Sequence, residues 1–99
     1  MATSSDYKDF VLEQLNLLDN ITYKPMMGEY LLYYNGVLFG GIYDNRLLIK
    51  KVNSNKKYNM NECLPYSGTK TIYLVETDDK EPLHNVVIDT YSDLVNKIN

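Results

Sequence analysis

Met26-Met27-Gly28-Glu29-Tyr30-Leu31-Leu32-Tyr33-Tyr34-Asn35-Gly36-Val37-Leu38-Phe39-Gly40-Gly41-Ile42-Tyr43-Asp44-Asn45-Arg46-Leu47-Leu48-Ile49-Lys50-Lys51 reads as three short strands joined by two tight turns. Asn35-Gly36 lies between apolar runs, and both residues tolerate the positive φ of a two-residue type I′ hairpin. Asp44-Asn45 is a weaker form of the same signal.

Pairing outward from each turn assigns the two faces of this meander. Tyr34 opposes Val37, Tyr33 opposes Leu38 and Leu31 opposes Gly40; across the second turn Ile42 opposes Leu47 and Gly40 opposes Ile49. The expected core face then carries Leu31, Tyr33, Leu38, Gly40, Ile42, Leu47 and Ile49. The other face carries Tyr30, Leu32, Tyr34, Val37, Phe39, Gly41, Tyr43, Arg46, Leu48 and Lys50, too apolar a set for a fully wetted surface. Gly40-Gly41 weakens a central strand, and its reading is a bulge or a close helix crossing.

Upstream, Tyr7, Phe10, Val11, Leu15 and Leu18 recur at helical spacing, predicting a helix from Asp6 to about Leu18 with Ser4 or Ser5 as N-cap. Ile21 to Pro25 reads as an extended entry, since proline pushes its predecessor away from helix. Downstream, a short helix is expected around Lys56 to Met60, an edge strand at Leu64-Pro65-Tyr66 and a strand from Thr71 to Thr77. Pro82 suits the first turn of a last helix whose apolar positions are Leu83, Val87, Tyr91, Leu94 and Ile98. The expected fold is α+β: a two-layer antiparallel sheet with helices on one face, order α-βββ-(α)-ββ-α.

Ninety-nine residues fit a single domain, 1–99. With 44% hydrophobic and 23% charged residues it falls in the globular rather than the disordered class. One cysteine, Cys63, excludes an internal disulfide. No apolar run reaches the roughly 18 residues of a membrane span, and no leader-like segment is expected, so the expected location is the cytoplasm. The net charge of −3 is unevenly spread: residues 1–45 hold six acids and two bases, 46–70 one acid and six bases, and 71–99 six acids and two bases.

No catalytic constellation emerges. His84, the one histidine, has no partner histidine for a metal site, and reads as an exposed helix residue. Cys63 reads as a small buried thiol at a strand start rather than a nucleophile. Glu76, Asp78, Asp79 and Glu81 match neither a calcium loop nor a catalytic pair. No cofactor is expected. Arg46, Lys50, Lys51, Lys56 and Lys57, with Lys70, form the candidate anion or nucleic-acid patch, although the acidic total and one arginine argue against a nucleic-acid binder. Tyr30, Tyr34, Phe39 and Tyr43 form the candidate partner interface, since aromatic groups supply large contact area at low entropic cost.

The segment from Tyr23 to Lys51, followed by Leu64-Pro65-Tyr66-Ser67-Gly68, resembles the N-terminal domain of the TfoX/Sxy family of bacterial competence regulators. The common pattern runs Met-Phe-Gly-Gly, a strand, a glycine turn, a phenylalanine strand and Arg-Leu-x-Leu-Lys. Met26-Met27-Gly28-Glu29, Tyr30 to Tyr34, Asn35-Gly36, Leu38-Phe39-Gly40 and Arg46-Leu47-Leu48-Ile49-Lys50 occupy those places, with Met27 and Glu29 departing from the pattern. The resemblance implies a secretion-chaperone-like two-layer architecture in a short form, without the C-terminal helical domain of longer members. It also implies a non-enzymatic co-regulator whose partner is a protein, such as a transcription regulator or a second copy of the chain.

Overall fold

The structure, a computed structural model, describes residues 2–98, with side chains as far as Asn96. Met1, and the Ile98 side chain assigned above to the last helix's apolar stripe, lie outside the described residues.

Helix α1 spans Ser5–Gln14 and is capped by Ser4, whose hydroxyl accepts a hydrogen bond from the Tyr7 amide. Four strands follow as a continuous meander: β1 Ile21–Met26, β2 Glu29–Tyr34, β3 Val37–Ile42 and β4 Leu47–Ile49. A 3-10 helix, Asn53–Tyr58, leads into the hairpin of β5 Asn61–Cys63 and β6 Ile72–Val75, and α2 runs from Lys80–Ile98. β6 inserts beside β4, giving an antiparallel sheet of order β1-β2-β3-β4-β6-β5. Both helices pack on one face: Val11, Leu15 and Leu18 meet Leu83, Val86 and Val87 over Leu32, Phe39, Ile42, Leu47, Ile49, Tyr73 and Val75. The α+β class and the layering agree with the sequence expectation.

Three elements differ from it. The extended entry is a full strand, β1, with Pro25 opposite Tyr30. Proline is tolerated there because β1 is an edge strand, whose outward amides need no ladder partner. The β1–β2 turn at Met27-Gly28 has positive φ at both residues, 51° and 84°, a geometry methionine does not advertise. The other edge strand is Asn61–Cys63 rather than Leu64-Pro65-Tyr66, which forms a loop. The expected short helix is the 3-10 turn Asn53–Tyr58, closed by Asn59 at a left-handed φ of 53°.

The largest correction concerns faces. Both predicted turns form, with positive φ at Asn35, Gly36, Asp44 and Asn45, and β3–β4 pairs as expected. In β2–β3, however, Tyr33 opposes Leu38 whereas Leu32 opposes Gly40, so Phe39 is an extra residue in the ladder. One extra residue exchanges the two faces beyond it. Leu32, not Leu31, therefore faces the helices. Phe39 turns into the core with 0% exposure, and Tyr30 and Tyr34 lie against that same core. Gly40 follows from the bulge: a Cβ there would stand 2.2 Å from the Leu48 carbonyl oxygen.

The residues before α1 are clasped to two hairpin tips. Glu29 Oε1 accepts hydrogen bonds from the Thr3 amide, the Thr3 hydroxyl and the Asp44 amide, at 2.9, 2.7 and 3.1 Å. The Thr3 hydroxyl in turn accepts from the Asn45 amide, and Asn45 Oδ1 accepts from the Ser4 amide.

Candidate functional site

Of the four aromatic residues proposed as one interface, only Tyr43 lies on the face away from the helices. Phe39 is core. Tyr34 stacks edge-on against Tyr91 of α2, centroids 4.7 Å apart, and Tyr30 meets Tyr23 at 5.7 Å with the Lys8 ammonium over both rings. The outer face is instead built from cross-strand partners that share a side: Leu31, Gly41, Leu48 and Leu74 in one row, with Tyr33 and Leu38 in the next. Leu31, Tyr33, Leu38 and Leu74 are half-buried.

Tyr43 lies across Gly41, where an added Cβ would stand 2.7 Å from its ring. Tyr66 packs on Tyr43 at 6.0 Å. Arg46 fastens that loop, donating from Nη2 to the Pro65 carbonyl and from Nε to the Tyr43 carbonyl. Burial first, then the neighbouring Tyr66, Glu29 and Tyr33 groups, raise the Tyr43 hydroxyl above its ordinary pKa. The outer face is thus an apolar surface that carries the Tyr43–Tyr66 pair, with Tyr33 close enough to Tyr43 to act on its hydroxyl. Tyr33 and Tyr66 were missed because the unbulged register put Tyr33 in the core, and because no local signal shows a loop folding back onto a sheet.

The lysine-rich segment does not converge. Arg46 is occupied by backbone carbonyls, Lys51 pairs with Glu62 at 2.6 Å, and Lys57 pairs with Asp89 at 3.0 Å. Lysine 51 also lowers the pKa of Glu62 through that hydrogen bond, with Thr71 second. Among the described residues, Lys50, Lys56 and Lys70 form no ion pair within the 4.0 Å limit for one. Lys50 and Lys70 border an open notch of about 650 Å³ with Val52, Thr71, Ile72 and Leu94.

Beneath those lysines a buried polar latch joins the 3-10 helix to α2. Asn55, fully buried, donates to the Lys50 carbonyl and the Thr90 hydroxyl, both at 2.8 Å, and accepts from the Val52 amide. The Ser54 hydroxyl donates to the Asp89 carbonyl, and the Tyr58 hydroxyl to the Asp89 carboxylate. Burial and that carboxylate push the Tyr58 pKa up to about 12, while the Tyr58 hydrogen bond, helped by Lys57, lowers that of Asp89. Every buried side-chain nitrogen and oxygen among the described residues has a partner.

The other singled-out groups are dispersed. His84 is half-buried beside Asn85, at 3.2 Å, and Cys63 is a half-buried free thiol in β5. Among the described residues no cluster of three or more His, Cys, Asp or Glu side chains could hold a metal ion, and no helix is long and apolar enough to cross a membrane.

Comparison with known proteins agrees with the sequence resemblance. The sequence model of the TfoX N-terminal domain matches residues 13–91. A protein of Spirochaeta aurantia, described as an uncharacterized 12.7 kDa protein in the trpE 5′ region, is 31% identical over 78 residues, covering 77% of this chain and 68% of the relative. No solved structure matches.

Proposed function

The chain belongs to the TfoX N-terminal domain family, and from that premise we propose that it is a non-enzymatic regulatory module that binds a protein partner through the outer face of its sheet. The observation that carries this reading is the apolar row Leu31–Leu74, half-buried at Leu31 and Leu74 and closed at Leu48, with half-buried Tyr33 and the Tyr43–Tyr66 pair beside it, on a face that neither α1 nor α2 covers among the described residues. Rigid aromatic groups beside aliphatic ones are the composition that protein interfaces favour. A transcription regulator and a second copy of the chain are both partners of that chemistry.

Light scattering, together with affinity capture by the wild type and by a Tyr33→Ser/Tyr66→Ser variant, tests it. The expected result is a dimer or a captured partner that the variant loses while its circular dichroism is unchanged. A strictly monomeric chain that retains nothing, or a variant that retains the same partner, overturns it.

A nucleic-acid reading rests on fewer groups than the sequence offered, since Arg46, Lys51 and Lys57 are already engaged. It requires an affinity that falls steeply with salt. We expect no mobility shift of single- or double-stranded DNA at low salt; a salt-steep shift abolished by Lys50→Gln/Lys70→Gln would establish it instead.

A further inference from the structure

A second surface lies on the helix side of the molecule, independent of the outer-face reading. Tyr7, Phe10 and Gln14 follow one another at three- and four-residue steps, one stripe of α1, and Leu17 continues the line in the turn after it. Opposite stand Thr77 and Asp78 before α2 and Glu81, His84 and Asn85 in its first turns. The seam between the helices opens at two places. A narrow cleft at Tyr7, Phe10, Gln14 and Asp78 reaches down to Leu47, Val75 and Leu83, and a hollow of about 470 Å³ is lined by Leu17, Glu81, His84 and Asn85. Phe10 is 42% exposed and Leu17 51%. Among the described residues, Phe10 pairs with one aromatic ring, Tyr7, with centroids 6.1 Å apart.

The charge around this seam is predominantly negative. Asp6 and Glu13 flank Phe10 on α1, one turn to either side, while Asp78 and Glu81 line the two openings. Tyr7 reports the field: burial, then the charge of Asp78, raises its pKa. The nearest cations balance it only in part, leaving Asp78 and Glu81 without an ion pair among the described residues. Lys80 reaches across to Glu13 at 3.4 Å, and Lys8 pairs with Asp9 under the Tyr23 ring.

An apolar seam with an acidic rim repels nucleic-acid phosphates and anionic lipid headgroups and attracts a basic polypeptide. Phe10 on α1 and Leu17 in the turn after it supply two exposed apolar anchors, one at each opening of the seam. We propose that the α1–α2 seam docks a basic amphipathic helix of a protein partner, with Phe10 and Leu17 meeting its apolar stripe and Asp78 and Glu81 meeting its lysines or arginines. This is helix-in-groove recognition, in which apolar anchors set affinity and charge sets the choice of partner.

The probe is a fluorescently labelled Leu/Lys amphipathic helical peptide, followed by anisotropy against the full chain. Two controls accompany it: a scrambled peptide of equal composition and a version with glutamate for lysine. The expected result is binding of the Leu/Lys helix, weakened at least about tenfold by scrambling and by Phe10→Ser/Leu17→Ser, and abolished in the glutamate version. Equal binding of the scrambled peptide, unchanged binding to the double variant, or no binding at all overturns the proposal. Amide chemical shifts of the wild-type chain make the test independent of the variant's folding. Peptide-induced shifts must centre on residues 7–17 and 77–85, and shifts centred elsewhere overturn it too. Retention on vesicles of anionic lipid, abolished by Phe10→Ser/Leu17→Ser, would show that the surface serves a membrane and not a helix.

Discussion

Phe39 and Tyr43 stand four residues apart on one strand and its turn, yet they belong to opposite sides of the sheet with different kinds of cover. Phe39 lies under two helices, in a cluster drawn from both helices and four strands. Tyr43 lies under one loop, fastened by Arg46 and a single ring contact. The helix cover is closed at one end by a fully satisfied polar latch centred on Asn55 and Asp89, whereas the loop cover leaves Leu31, Tyr33 and Leu74 half-buried. Packing energy should therefore reside mainly beneath the helices and less beneath the loop.

The sharpest way to break this contrast is Phe39→Ala. Emptying a closed site should cost about 3–5 kcal/mol in urea denaturation, while Tyr33→Ala on the outer face should cost less than about 1.5 kcal/mol. Comparable losses would mean that the faces are not divided as described. Gly40→Ala comes next: its Cβ would meet backbone, which cannot rotate away, so a loss of about 3 kcal/mol is expected. If Gly40→Ala is neutral, the ladder carries no bulge at Phe39.

The latch gives a smaller, pH-dependent effect. Asp89 is lowered below the ordinary 3.8 in the folded chain, so its contribution is present above 3.8 and lost as pH falls through the folded value. Tyr58 is raised from 10.0 to about 12, so its contribution is complete below 10 and disappears as pH rises towards 12. Asp89→Asn should cost about 1–2 kcal/mol at neutral pH, with the deficit narrowing in acid; a deficit independent of pH would exclude the ionised hydrogen bond. The smallest effect is Tyr66→Ala, at about 1 kcal/mol for the lost ring contact. It should also bring the Tyr43 hydroxyl pKa back towards 10.0 by removing burial and a neighbour, as spectrophotometric titration would show.

Much of this architecture was legible in the chain. Asn35-Gly36 and Asp44-Asn45 announce their turns because few residues adopt positive φ, and the apolar spacing of both helices marks most of what they bury, although Phe10 of the same run is exposed and buried Val86 lies outside it. The candidate site was not legible for a local reason and a distant one. The extra residue at Phe39 carries no unambiguous signal beyond Gly40-Gly41, yet it reverses the side to which every β2 residue beyond it points. Pairing from the turn therefore placed Tyr30 and Tyr34 outside and Leu31 and Tyr33 inside. The cover by Tyr66 and the engagement of Arg46, Lys51 and Lys57 depend on partners up to 32 positions away, as in the Lys57–Asp89 pair, and periodicity does not report such contacts.

The clasp at Glu29 bears on how relatives diverge. Glutamate stands here where the common family pattern has glycine, and its one carboxylate oxygen gathers Thr3 and Asp44. A chain with glycine at that place has no side chain with which to fasten the segment before α1. The first helix, one wall of the acidic seam, is therefore moored in this chain through one carboxylate, and Glu29→Gly would leave the sheet's ladder intact while loosening that wall.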